Sequence, residues 1–271
     1  MKNYLLTIEY DGTNFSGWQR QPRQRTVQGE IEKVLSKLCC QKIELYGASR
    51  TDAGVHALDQ KASFSGDFDI PLNRLVIGAN GLLPKDVKIL SAQEVPAGFH
   101  GRFSSKGKKY SYRIINSRTF SVFDRPYNLI VDRQKLDVEK MAEAAKCFLG
   151  NHDFKVFSGK NGVAKLNTSR TINNIKVTES GEFSILIEIA GDSFLYKMVR
   201  MMVGALINVG MGKHEPEAIK DILEGKLKRI GKTAGPEGLF LEEVYFNPED
   251  LIVSPAEHKE NDEIMKGKCE K

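Results

Sequence analysis

The chain has 271 residues, 41% of them hydrophobic and 28% charged, with a formal net charge of +5, the profile of an ordinary globular protein with one large core or two modest ones. Its opening, Met-Lys-Asn-Tyr-Leu-Leu-Thr-Ile-Glu-Tyr, lacks the unbroken apolar run of a signal peptide, and its most apolar stretch, Met198 to Val209, carries Arg200 and is too short to span a bilayer, so the cytosol is expected rather than a membrane. Cys39, Cys40, Cys147 and Cys269 form no Cys-x-x-Cys pair and the five histidines show no helical ligand spacing, so no metal cofactor is expected.

Residues 4 to 10 alternate as a strand, with Tyr4, Leu6, Ile8 and Tyr10 on one side, until Asp11-Gly12 breaks it. Thr26 is placed to cap a helix whose apolar face is Val27, Ile31, Val34, Leu35 and Leu38. Short strands are expected at 42–46 and near 60–65, then a helix around Leu72 to Ala79 and a strand from Val87 to Val95. The second half repeats this order. A strand is predicted over Lys109 to Asn116 and an amphipathic helix over Val138 to Phe148. Strands near 171–178 and 183–190 are joined by a Ser180-Gly181 turn. A helix over Leu195 to Val209, a shorter one near 215–224 and a closing strand, Leu239 to Phe246, complete the series. Each half reads as a split β-α-β, ferredoxin-like unit. The expected fold is therefore α+β: two such halves, 1–104 and 105–246, with mainly antiparallel sheets and a basic cleft between them. Residues 247–271 are charged, hold Pro248 and Pro255 and lack periodicity, and are expected to be a disordered tail.

Charge is unevenly spread. Arg102, Lys106, Lys108, Lys109, Arg113 and Arg118 fall between Val95 and Phe123 with no acid among them. A second acid-free run holds Lys155, Lys160, Lys165, Arg170 and Lys176, and a third is Arg20, Arg23 and Arg25. Such runs are either solvated loops or the footprint of a polyanion.

The least ordinary segment is Gly47-Ala48-Ser49-Arg50-Thr51-Asp52-Ala53-Gly54-Val55-His56-Ala57. Its small residues allow a sharp turn and close approach to a ligand. Asp52, two residues from Arg50, either bonds its own turn or serves a cleft. The helix from Leu195 is apolar over most of its circumference, so Arg200 either needs a buried anionic partner, for which Asp52 would suit, or lies on a stripe that faces water. Tyr110, behind the basic turn Lys106-Gly107-Lys108-Lys109, is either a core tyrosine or a platform for an unpaired base.

Seven segments in order resemble the tRNA pseudouridine synthase A family. They are Tyr10 to Gln21, Arg50 to Ala57, Phe99-His100-Gly101-Arg102-Phe103, Lys109-Tyr110-Ser111-Tyr112, Gly150-Asn151-His152-Asp153-Phe154, Met198-Val199-Arg200 and Gly238-Leu239-Phe240-Leu241. Ser49, where the family more often has glycine, and Asp192-Ser193, in place of Asn-Gly, are the departures, and they bear on substrate preference rather than chemistry.

The resemblance implies an RNA-modifying isomerase that converts uridine to pseudouridine in tRNA, usually at positions 38, 39 and 40 of the anticodon stem-loop. It makes Asp52 the nucleophile, Arg50 its companion on the catalytic loop, Arg200 the partner of Asp52, and Tyr110 a contact to the flipped uracil. It also implies a homodimer. Arg20, Arg23, Arg25, Arg102, Lys106, Lys108 and Lys109 are the expected RNA contacts. An isomerisation involves no redox change or group transfer, so no cofactor is expected. Two rivals stand beside this reading: a non-catalytic RNA-binding module, and a hydrolase pairing Asp52 with His56.

Overall fold

A computed structural model describes residues 1–159 and 167–247; the expected tail, from residue 248 on, and Lys160 and Lys165 lie outside them. In the first half β1 (Lys2–Tyr10) leads to α1 (Val27–Leu38), β2 (Tyr46–Gly47), β3 (His56–Gly66), α2 (Leu72–Leu82) and β4 (Val87–Val95). In the second, β5 (Gly107–Ile115) and the short β6 (Leu129–Ile130) precede α3 (Val138–Lys146) and β7 (Gly150–Asp153). Next come β8 (Ser169–Gly181), β9 (Ser184–Gly191), α4 (Met198–Gly210), α5 (Ala218–Leu223) and β10 (Leu239–Tyr245).

The fold is α+β, and the halves follow one plan. In the first, the spatial order is β4-β1-β3 with β2 beyond β3; in the second it is β10-β5-β9-β8, with β7 beyond. Pairing within each run is antiparallel. A parallel seam, Phe240 opposite His56 and Leu241 opposite Ala57, joins β10 to β3 and makes the two sheets one.

Local chemistry explains where the elements begin and end. Thr26 caps α1, its hydroxyl accepting the Gly29 N–H at 3.3 Å, and the helix buries Val27, Ile31, Val34 and Leu35. Tyr4, Leu6, Ile8 and Tyr10 are all buried, as the alternation of β1 demands. Almost every apolar residue of α4 is buried, while Gly204 lets the backbone at Lys232 pass where a Cβ would collide with the Lys232 carbonyl.

Four expectations move. Residues 42–45 are not a strand, because α1 takes their N–H groups: Ser36 Oγ accepts from Ile43 and Glu32 Oε1 from Leu45, both at 2.9 Å. The β8–β9 hairpin turns at Glu182-Phe183 rather than Ser180-Gly181, since Gly181 still pairs with Ser184. The helix expected from Leu195 starts at Met198, after Lys197 takes a left-handed φ of 61°. The strand expected from Lys109 starts at Gly107, so Lys108 lies in β5 rather than in a turn, paired between β9 and β10.

The loop before β3 sits directly on the end of β1. Gly12 meets the backbone of Val55 so closely that a Cβ would collide with its carbonyl. Gly12→Ala is therefore expected to cost about 1–3 kcal/mol through overpacking, a drop of several degrees in Tm; an unchanged Tm would show that this approach is no constraint.

Candidate active site

The loop 48–55 is held from every side. Trp18 N–H donates to Thr51 O at 3.1 Å, Ala48 N–H to Lys61 O at 2.7 Å, and Gly54 N–H to Phe15 O at 3.3 Å. The buried Gln60 clamps Ser49 twice, accepting its N–H at 3.1 Å and donating to its carbonyl at 2.9 Å. Tyr10 and Thr51 share a hydroxyl bond of 2.8 Å. Gly17, at φ 91°, lies where a Cβ would meet Thr51 O at 2.7 Å, and Gly54 takes φ 78°. These contacts tie the backbone down on both sides of Asp52, which is how a rigid frame positions a side chain.

Within this frame Asp52 does not spend its carboxylate on its own turn. Its backbone carbonyl accepts Val55 N–H, while Oδ2 accepts from Arg200 Nη1 at 2.7 Å. The two side chains are 15% and 12% exposed. Arg200 stands in the first turn of α4 and is aimed by a second bond, Nε to Ala234 O at 2.8 Å. The ion pair thus crosses from the first half to the second. Removing one partner of a desolvated pair typically costs about 3–5 kcal/mol, because the other charge is left uncompensated.

Tyr110, on β5, is buried with its hydroxyl 2.6 Å from Ser49 Oγ. Its ring meets the edge of Phe194 at 5.1 Å between centroids. Burial pushes its phenol up to about 12, and the Asp52 charge adds to the shift while the Ser49 bond opposes it. Both departures from the family pattern thus lie beside this tyrosine. Ser49 supplies the hydroxyl bond, which a glycine would lack, and Ser193 precedes Phe194. Gln60 and Phe194 were not singled out in the sequence, and Trp18 appeared there only within the Tyr10 to Gln21 segment.

The basic residues separate into groups. Arg20, Arg50 and Arg102 line one groove beside the 48–55 loop, together with Glu32 and Glu44, and Arg20 is bound to Glu32 at 2.7 Å. Arg50, Arg23 and Lys106 are exposed. Arg25 is committed to Asp86 through two bonds of 2.8 Å and lies 4.0 Å over the Phe15 ring. Lys109 pairs with Glu188 at 2.7 Å. Lys108 is only 9% exposed, with Ser105 Oγ at 3.2 Å. Charge along the chain could not distinguish these groups, since the acids opposite Arg25 and Lys109 come from distant segments.

His56 cannot act with Asp52 as an acid-base pair. It is buried, its Nδ1 accepts the Gly12 N–H at 3.1 Å, and its Nε2 donates to Pro126 O at 3.0 Å. Burial lowers its pKa against the pull of Asp11, which favours the neutral ring.

The geometry therefore sets a carboxylate gripped by an arginine beside a buried tyrosine, with an arginine-lined groove next to them. Comparison with known proteins gives the class. A family model described as tRNA pseudouridine synthase matches residues 6–104 and 144–247. A tRNA pseudouridine synthase A of Acetivibrio thermocellus is 46% identical over 247 residues, covering 91% of this chain and 100% of that one. A tRNA pseudouridine synthase A 2 of Clostridium perfringens is 43% identical with the same coverage, and a tRNA pseudouridine synthase A of Clostridium botulinum is 45% identical over 247 residues, again covering 91% and 100%. The chain belongs to the tRNA pseudouridine synthase family, isomerases that convert uridine to pseudouridine. Among the described residues no helix is long and apolar enough to cross a membrane.

Lys108 supplies a pH test of the site's electrostatics. Burial, reinforced by Arg102 and opposed by Asp192, brings its ammonium down to about 8 from an ordinary 10.5. Between those values the unfolded chain holds the proton and the folded protein does not, so stability rises with pH through that window and is lost again as pH falls to about 8. Lys108→Met is expected to raise Tm at pH 7, with the advantage shrinking toward pH 10.5. An advantage independent of pH would contradict the burial of this charge.

Proposed function

We propose that this chain acts on uridines 38, 39 and 40 of the tRNA anticodon stem-loop and that Asp52 is the nucleophile. The observation that carries the reading is the Asp52–Arg200 pair. It uses Oδ2 and leaves Oδ1 without a hydrogen bond among the described residues. A carboxylate so held needs no reorganisation before it meets its substrate.

The reaction breaks the N1–C1′ bond, turns the uracil and joins C5 to C1′, with the C5 proton lost and a proton gained at N1. The nucleotide must first leave its stack, at a cost of a few kcal/mol. Contact with the Tyr110 ring offsets part of it, by ~1–3 kcal/mol for a stacked base. A phenol at about 12 keeps its proton at neutral pH. Tyr110 therefore acts as a contact and hydrogen-bond donor. Arg50, exposed and two residues away, meets the RNA at the rim. Arg20, Arg102 and Lys106 carry backbone phosphates. Arg23 is exposed as well and extends this surface. The enzyme works in the cytosol as a homodimer without a cofactor.

The test is Asp52→Asn on unmodified tRNA transcript. The variant is expected to bind tRNA as the wild type does and to form no pseudouridine at the three positions. Product at the wild-type rate would exclude Asp52 as nucleophile, and product elsewhere in the tRNA would move the target site.

A further inference from the structure

The groove beside the catalytic loop contains a feature that chemistry at Asp52 does not use. Tyr46 opens β2, just before the loop, and the turn around Gly101 is seated directly on it. Gly101 N–H donates to Ser63 Oγ at 2.8 Å, and a Cβ at Gly101 would collide with the Tyr46 carbonyl. The seating brings three rings into a row. Tyr46 and His100 lie 4.7 Å apart between centroids, and His100 and Phe103 4.5 Å. Phe103 is 74% exposed and Tyr46 45%. Arg102 lies 5.6 Å from the Phe103 ring, and neither Arg102 nor Arg50 has an acidic partner among the described residues.

Single exposed aromatics need no explanation. A contiguous row of them, rimmed by unpaired guanidiniums and six residues from the catalytic carboxylate, does. The groove encloses about 240 Å³, below the roughly 300–1,000 Å³ of pockets that hold drug-sized ligands, so it suits one ring system rather than a whole metabolite. Exposed rings bind bases through their faces, and free guanidiniums bind phosphates. An acidic peptide would use only the arginines and leave the rings bare.

We infer that Tyr46, His100 and Phe103 form a stacking shelf for an unpaired nucleotide of the tRNA next to the one being isomerised, with Arg50 and Arg102 on its phosphates. The inference rests on the tRNA reading of the site. It adds a second base-binding position, which holds the strand while the target base sits at Tyr110.

The test is a cycle in which protein and RNA are cut back separately. Phe103→Ala and Tyr46→Ala are each expected to weaken binding of tRNA transcript about 5- to 150-fold, the range of one lost base stack. KM should rise far more than kcat falls, and Phe103→Tyr should restore binding. Transcripts with single abasic residues placed in turn through the anticodon stem-loop are expected to include one that binds wild type as weakly as intact tRNA binds Phe103→Ala. Combining that transcript with the variant should bring no further loss. Wild-type binding by both alanine variants would overturn the shelf, and so would fully additive losses, since the ring would then not be acting through a base. Failure of wild type to form pseudouridine would instead count against the proposed function, because the shelf is read from binding.

Discussion

The site depends on holding a negative charge, out of most of the water, at the junction of two structural units. Asp52 comes from a loop of the first half and Arg200 from a helix of the second, and they meet at 2.7 Å. Neither could be desolvated alone without a cost of several kcal/mol. Each is therefore a condition for the other. Most of the neighbouring architecture keeps the two ends of that pair from drifting: α4 is buried on nearly every side, and the loop is bonded to Trp18, Tyr10, Phe15 and Gln60.

The junction itself is built from a short stretch leading into β10. Ala234 O accepts from Arg200 Nε, Gly235 O accepts from the Tyr112 hydroxyl at 2.8 Å, and Pro236 packs on Gly54 of the Asp52 loop. The strand that follows then pairs in parallel with β3 at His56 and Ala57, immediately after that loop. Three successive residues thus touch the arginine, the tyrosine strand and the loop.

The parts of this arrangement that were legible in the sequence are those written in local pattern. The alternation of Tyr4 to Tyr10, the Thr26 cap and the apolar girth of α4 describe single elements, and each element formed. The Asp52–Arg200 pair was legible as one of two possibilities, because an arginine on a buried helix demands an anion. Less legible was whatever depends on what lies opposite. Lys109 and Arg25 looked like free cations, yet Glu188 and Asp86 neutralise them from distant segments. Strand β7, Gly150–Asp153, has no apolar alternation to announce it. Ser49 stood out only as a departure from the family pattern, and its hydroxyl gained meaning once β5 placed Tyr110 beside it.

The most direct measurement of the central claim is a double-mutant cycle on unfolding free energy, using Asp52→Asn, Arg200→Met and the pair together. Residues in one desolvated network couple by about 0.5–3 kcal/mol, and a coupling in the upper half of that range is expected here, with the double variant more stable than the sum of the single losses implies. Additivity to within ~0.3–0.5 kcal/mol, the behaviour of independent sites, would mean that the two halves are held in place by something other than this pair.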